Sequence, residues 1–487
     1  MTIAHASSRA SVTGPGALFL ALALLLVPLL SATSVHARGT PESFADLAEK
    51  LLPSVVNIST TQAVPEGQAQ NFEEFFKEFF ERRGRPAPER PRRAPSALGS
   101  GFIIDASGYV VTNNHVIEDA EEIKVILQDD RTYDATLIGR DEKTDLALLK
   151  IEPKEPLPSV DWGDSDELRI GDWIIAIGNP FGLGGTVTAG IVSARARDIN
   201  AGPYDDFIQS DAAINRGNSG GPMFNMDGEV VGVNTAIFSP SGGSVGIGFA
   251  IPSQLARNVI LQLRDNGEVK RGWLGVRIQT VTDELAEGLG LDETTGALVA
   301  SVTPEGPAAE AGIRQGDVIL RFNDRKVEDM RRLPRMVAET QIGKSVDVVV
   351  WRDKKEKVTV QVMLGELPSD DELASLEPTP MGEGSDGGKV EALGLTLSGI
   401  NGELRAQFGL PDDIEGVVIT DVDPSGNAAE KGLKPGDVIL EVDQDPIATP
   451  DEVAKRITQS KEEGYRVVTL LVLRDGDPSW VALRLEE

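Results

Sequence analysis

The C-terminal half of the chain repeats itself. GALVASVTPEGPAAEAGIRQGDVILRFND begins at Gly296 and GVVITDVDPSGNAAEKGLKPGDVILEVDQ begins at Gly416. The two align without a gap at an offset of 120, with 13 of 29 positions identical. A duplicated segment of this kind folds twice into the same small unit, so two modules of one shape are fixed before anything else is read. A chain of 487 residues has room for about three domains of ~100–200 residues each. The expected division is a larger domain over 38–267, repeat modules over 268–366 and 390–487, and a linker over 367–389. The linker holds SDDELASLEPTPMGEGSDGG, acidic and rich in Pro and Gly, which reads as flexible.

The larger domain reads as mostly β. Between 98 and 265, short β-branched runs such as GFIID, YVVTN, IKVIL, WIIAIG and VVGVN are separated by Gly, Asp and Asn, the pattern of a sandwich or barrel. SQLARNVILQLRDNG then predicts a closing helix, with Ser253 as its cap and Gly267 as its stop. Upstream, PESFADLAEKLLPSVVNISTTQ predicts a short amphipathic helix followed by a strand. An insert over 65–97 places Phe72, Phe75, Phe76, Phe79 and Phe80 at helical spacing, ahead of a basic, proline-rich run. So many rings on one stripe predict docking against another subunit or over the active site.

Charge and targeting narrow the function. The formal net charge of −30 argues against a nucleic-acid partner. The chain has no cysteine, so disulfides, zinc–thiolate sites and cysteine nucleophiles are excluded. The N-terminus carries Arg9, then the 14-residue apolar run ALFLALALLLVPLL, then SVHA ending at Ala37. This pattern predicts a signal peptide over 1–37, cut after Ala37, and export; the run is short of the ~20 residues of a spanning helix, so membrane association is not required. Of the three histidines, His5, His36 and His115, cleavage leaves only His115. Any imidazole chemistry must then use it.

One serine has unusual neighbours. In RGNSGGPMF (216–224), Ser219 lies between Gly217 and Gly220–Gly221. A serine hydroxyl is a poor nucleophile without a base, and the base needs a third group to fix its tautomer. His115 ends the strand YVVTNNHVI, and Asp145 heads the strand in KTDLALLKI. The order His115, Asp145, Ser219 is one of the known triad orders. Each piece alone has a plain structural reading: a core histidine, a strand cap, a glycine turn.

TNNHVI, TDLALL and RGNSGGP closely resemble the HtrA (DegP, Do-like) serine proteases, and the repeats resemble that family's two PDZ domains. The resemblance covers nearly all of the mature chain. It implies a trypsin-like double β-barrel followed by two PDZ domains. It also implies an ATP-independent endopeptidase that degrades unfolded or damaged periplasmic proteins without a cofactor. His115 would be general base, Asp145 its orienter and Ser219 the nucleophile. The oxyanion loop would be Gly217, Asn218 and Ser219, with the amides of Gly217 and Ser219 as donors. Trypsins carry an acid six residues before the serine; here that position is Ala213, and Ile214 and Ile237 match an apolar pocket, so cleavage is expected after small aliphatic residues. Asn218 cannot make the ion pair that a cleaved N-terminus makes in digestive enzymes, so no pro-segment activation is expected. Relatives form trimers and larger cages. A PDZ-gated protease with one signalling substrate, or a non-proteolytic holdase, stays open as an alternative.

PDZ modules add a peptide as an extra strand and hold its terminal carboxylate on backbone amides. In the first copy the loop RGWLGV would supply Leu274, Gly275 and Val276; in the second, ALGL would supply Leu393, Gly394 and Leu395. The GD pairs Gly316-Asp317 and Gly436-Asp437 lack a surrounding acidic cluster and read as turns, so no metal is expected.

Overall fold

The computed structural model describes residues 41–61, 95–179, 185–215, 217–239, 243–369, 372, 390–411 and 414–485. The expected signal segment with its cut after Ala37, the Phe72–Phe80 stripe and most of the linker lie outside the described residues.

Seven strands form the first sheet: β1 (Val55–Thr61), β2 (Pro95–Asp105), β3 (Tyr109–Thr112), β4 (Glu122–Ile126), β5 (Thr132–Asp134), β6 (Thr136–Asp141) and β7 (Leu146–Lys150). Their order is β5-β4-β1-β2-β3-β7-β6. The β-branched runs bury Val56, Ile58, Ile103, Val110 and Val125 on one side of it. Six more strands follow: β8 (Trp173–Gly178), β9 (Thr186–Arg197), β10 (Phe207–Ser210), β11 (Pro222–Phe224), β12 (Val230–Ile237) and β13 (Gly248–Pro252). They close into a barrel in the order β10-β13-β12-β11-β8-β9. Ile174, Val192, Ile208, Met223 and Val231 fill it.

The closing helix spans Ser253–Asn266 and ends at Gly267, whose φ of 79° is the left-handed stop the sequence predicts. Its start differs. Pro252 occupies the cap position without a side-chain bond, and Ser253 is already helical. The Ser253 hydroxyl donates instead to the Gly163 carbonyl at 2.8 Å. A neighbouring loop outcompetes the helix terminus for it.

The first repeat builds β14 (Gly272–Trp273), β15 (Val276–Thr280), β16 (Ala297–Val302), β17 (Val318–Phe322), β18 (Arg325–Lys326), β19 (Ser345–Arg352), β20 (Glu356–Met363) and β21 (Gly365–Glu366). The second builds β22 (Val390–Ala392), β23 (Leu395–Gly399), β24 (Val417–Val422), β25 (Val438–Val442), β26 (Asp445–Pro446), β27 (Val467–Arg474) and β28 (Asp477–Arg484). The identical GD pairs are indeed turns, with Gly316 at φ 83° and Gly436 at φ 99°. Their aspartates do more than turn the chain. Asp317, 2% exposed, takes both Arg352 Nε at 2.8 Å and an Arg352 terminal nitrogen at 2.6 Å. Asp437 takes Arg474 Nε at 2.7 Å in the same way. A two-pronged guanidinium–carboxylate pair thus locks the same corner of both modules.

The modules share a seam. Trp480 of β28, 3% exposed, packs with Val281, Leu285 and Leu289 of the first module. Its indole donates to the Val299 carbonyl at 3.2 Å. The Gln279 amide accepts from Trp480 N at 2.7 Å and donates to Trp480 O at 3.0 Å. Lys354 reaches Asp443 at 2.9 Å, and Gln315 donates to Glu441 at 3.0 Å. On the other side, Arg271 just before β14 forms a buried two-pronged pair with Asp141 at the end of β6. The first module is thereby tied to the loop that leads to Asp145.

Candidate active site

His115 sits in a single helical turn, Asn114–Ile117, directly after β3. Val116 and Ile117 are buried and anchor that turn, while the imidazole stays half-exposed. Asp145 ends the turn between β6 and β7 with φ 55°, a conformation Asp tolerates better than most residues. Its backbone carbonyl accepts from Asn113 Nδ2 at 2.7 Å and from Asn114 N at 3.2 Å. The two loops are therefore stitched together before the side chains meet.

The Asp145 carboxylate has three donors. Oδ1 accepts from His115 N at 2.9 Å. Oδ2 accepts from His115 Nδ1 at 2.7 Å and from Thr235 Oγ1 at 2.6 Å. A carboxylate that takes the Nδ1 proton fixes the neutral ring as the Nδ1–H tautomer, which leaves Nε2 as a lone-pair base. Thr235, on β12, was not among the candidates. No motif marks it, because its role exists only where the barrel brings β12 beside the Asp145 turn.

Thr235 also touches the serine. Ser219 Oγ donates to the Thr235 carbonyl at 3.2 Å. The side chain of one residue thus holds Asp145, and its backbone holds the Ser219 hydroxyl. The hydroxyl rests on this carbonyl; among the described residues it makes no hydrogen bond to His115.

The glycines around Ser219 are required by shape. Gly217 has φ 96° and Gly220 φ 83°. A Cβ on Gly220 would lie 2.2 Å from the Ser100 carbonyl and 2.3 Å from Thr112 Oγ1. Among the described residues no acceptor takes the amides of Gly217 and Ser219. The Asn218 amide, by contrast, donates to Asn215 O at 3.0 Å. Of the three residues expected in the oxyanion loop, Asn218 has its amide consumed within the turn, and only Gly217 and Ser219 have one to offer.

The pocket candidates divide. Ile214 is 1% exposed in the barrel core, with Ile237 packed against the same cluster, whereas Ala213 is exposed. Gly248 lets β13 pack tightly against Ile214, since a Cβ there would sit 2.8 Å from Ile214 Cγ1. Asp211 faces elsewhere: its Oδ1 accepts from Ile191 N at 2.7 Å.

The two peptide loops differ. In the first module β15 is an edge strand, open on one side. Leu274 is buried in the module core, and Gly275 has φ 78°. The Leu274 and Gly275 carbonyls accept from Ala308 N and Thr303 N, each at 2.9 Å, so the loop's acceptors face inward. Val276 begins the open strand. In the second module Leu393 (φ 55°) and Gly394 (φ 71°) form a two-residue hairpin turn, and Leu395 pairs with Ala392. Here β22 covers the edge of β23 that a peptide would need. At Leu393, Gly394 and Leu395, expected to form a carboxylate loop, the chain's own lead-in strand β22 runs along β23.

Fold and site together define a trypsin-like serine peptidase with two PDZ modules. Trypsin-like peptidase domains match residues 99–233, and PDZ domains match 272–364 and 392–485. The chain is 44% identical over 487 residues to a "Probable periplasmic serine endoprotease DegP-like" of Brucella suis, covering 94% of this chain and 92% of the relative. A relative of the same description from Rhizobium meliloti is 42% identical over 491 residues, covering 94% of each. The solved HtrA-type protease AlgW with decapeptide aligns at TM-score 0.56 and 44% identity, covering 67% of this chain and 99% of that one. The chain belongs to the DegP-like (HtrA) family of serine endoproteases.

Proposed function

We propose that Ser219, His115 and Asp145 carry out acyl transfer on unfolded polypeptides in the periplasm, after removal of residues 1–37. The observation that carries this reading is the double contact of Thr235, whose hydroxyl binds Asp145 and whose carbonyl binds Ser219 Oγ. Rotation of the serine about χ1 moves Oγ from that carbonyl toward Nε2 of His115. Nε2 then accepts the hydroxyl proton as Oγ bonds to the scissile carbonyl carbon. The amides of Gly217 and Ser219 receive the oxyanion; losing one such donor typically costs ~3–4 kcal/mol of transition-state stabilisation. The imidazolium returns its proton to the departing amine, which leaves an acyl-Ser219 ester. Water, deprotonated by Nε2, hydrolyses the ester and restores the hydroxyl. ATP takes no part.

Ile214 and Ile237 favour a small aliphatic residue before the cut bond, and Asp211 is held away from recruiting Lys or Arg. Peptide C-termini bind the first module at Leu274, Gly275 and Val276, and this occupancy regulates cleavage. The second module serves assembly. Trimers, or larger particles built from them, form the working enzyme.

Casein digestion tests the reading. The wild-type chain should degrade reduced, unfolded casein without ATP, faster when a peptide for the first PDZ module is added. Ser219→Ala should be inert while still binding that peptide. Digestion that survives Ser219→Ala would overturn it.

A further inference from the structure

Ser100 lies on β2, in the other sheet from the catalytic serine, and is fully buried. Its hydroxyl donates to the Gly217 carbonyl at 2.6 Å and accepts from Asn179 N at 2.7 Å. Its amide donates to the Ser219 carbonyl at 2.9 Å. Its own carbonyl accepts from Thr112 Oγ1 at 2.7 Å. From these contacts we infer that Ser100 is a positioning residue for catalysis, which aims the Ser219 amide at the oxyanion; the inference rests on the assignment of Ser219 as nucleophile.

A peptide unit is rigid, so a hydrogen bond to its carbonyl fixes its N–H direction too. The Gly217 carbonyl belongs to the plane shared with Asn218, and the Ser219 carbonyl to the plane shared with Gly220. Between these two lies the plane that carries the Ser219 N–H. Ser100 grips both flanking planes by their carbonyls. Their opposite edges are held as well, by Asn218 N on Asn215 O at 3.0 Å and Gly220 N on Asn234 O at 2.8 Å. With both neighbours fixed on two edges, and the middle unit's own Asn218 carbonyl accepting from Gly221 N at 3.0 Å, the middle amide has little freedom left. Its direction is set before substrate arrives, which is what stabilisation of a developing charge requires.

The residue type fits the task. A hydroxyl can donate to Gly217 O while accepting from Asn179 N; no smaller side chain does both. Alanine would strand both groups in a buried site. The hold extends further, since Asn57 Nδ2 donates to the Asn179 carbonyl at 2.9 Å and to the Gly99 carbonyl at 3.3 Å. The catalytic loop is thus braced against the opposite sheet through a buried chain of bonds.

The test uses the full chain and a fluorogenic peptide with a small aliphatic residue before the cut. Ser100→Ala should lower kcat 10- to 100-fold and move KM less than threefold. A peptidyl boronate, whose tetrahedral adduct places a negative oxygen in the hole, should lose affinity by a matching factor. The affinity of the first PDZ module for a peptide C-terminus should not change, and melting should stay cooperative. Should Ser100→Ala not fold, Ser100→Cys keeps the size with a weaker donor, and a loss of 3- to 10-fold is expected. A folded variant within twofold of wild type in kcat and boronate affinity overturns the inference. So does a loss seen only in KM. If a serine-directed phosphonate leaves wild-type Ser219 unlabelled, the assignment of the nucleophile fails instead, and this inference with it.

Discussion

Replacing Thr235 with valine removes one hydroxyl and keeps the size and branching of the side chain. The consequence can be worked from the contacts. Asp145 Oδ2 receives the imidazole Nδ1–H at 2.7 Å and the Thr235 hydroxyl at 2.6 Å. Hydrogen bonds to a charged group contribute about 1.5–3 kcal/mol. Asp145 is 30% exposed on its side chain, so water replaces part of what is lost, and the low end of that range applies. A cost near 1.5 kcal/mol corresponds to about a tenfold fall in rate. On the proposed mechanism the fall should appear in kcat, because the imidazolium beside Asp145 would form only during the reaction. KM should barely change. The resting contact of Ser219 uses the Thr235 backbone carbonyl, which valine retains, so folding of the loop is preserved. Thr235→Ser, which keeps the hydroxyl, should retain most of the activity. Steady-state kinetics on one fluorogenic peptide decide the matter. Full kcat in Thr235→Val, or equal losses in the valine and serine variants, would refute the reasoning.

Three further outcomes are expected. Asp317→Asn leaves the largely buried Arg352 guanidinium without its counter-charge and should destabilise the first PDZ module by about 3 kcal/mol, read by calorimetry, with Asp437→Asn costing the second module less because Arg474 is 41% exposed and water screens it. The Glu441 carboxyl at the seam is pushed up from 4.5 to about 7 by burial, with the Asp445 charge adding to this and the Gln315 bond opposing it. The folded chain therefore holds this proton more tightly than the unfolded one, so the contribution is most favourable below about 4.5 and declines as pH rises to about 7, by at most about 3 kcal/mol; Glu441→Gln should flatten that decline in urea titrations run from pH 4.5 to 8. A peptide-library digest should show cuts after Val and Ala, and a strong preference for Lys or Arg would contradict the pocket assigned to Ile214 and Ile237.

What could be read from the chain alone follows a physical divide. His115, Asp145 and Ser219 stand in local patterns marked by their neighbours, so each could be put forward as a candidate from the sequence. The duplicated modules were legible because a whole core repeats. Thr235 and Ser100 were not. Both act through contacts that exist only when strands distant in sequence become neighbours, and an ordinary hydroxyl on a strand carries no local mark. The GD pairs show both sides of this divide. The turn is local and was foreseen, whereas the arginines that clamp Asp317 and Asp437 lie 35 and 37 residues further on. Ser253 was misread as a cap because capping preference is weak beside a nearby carbonyl at Gly163. The loop at Leu393 and Gly394 is ambiguous in sequence for a related reason. Its residues suit a peptide-binding loop and a tight hairpin equally, and the pairing of Val390–Ala392 decides between them.

The most direct test of the account is to locate the covalent adduct of a serine-directed phosphonate by tandem mass spectrometry. The account predicts a single modified residue, Ser219, and labelling at least a hundredfold slower in His115→Ala. Modification at another serine, or unchanged labelling without His115, would contradict it.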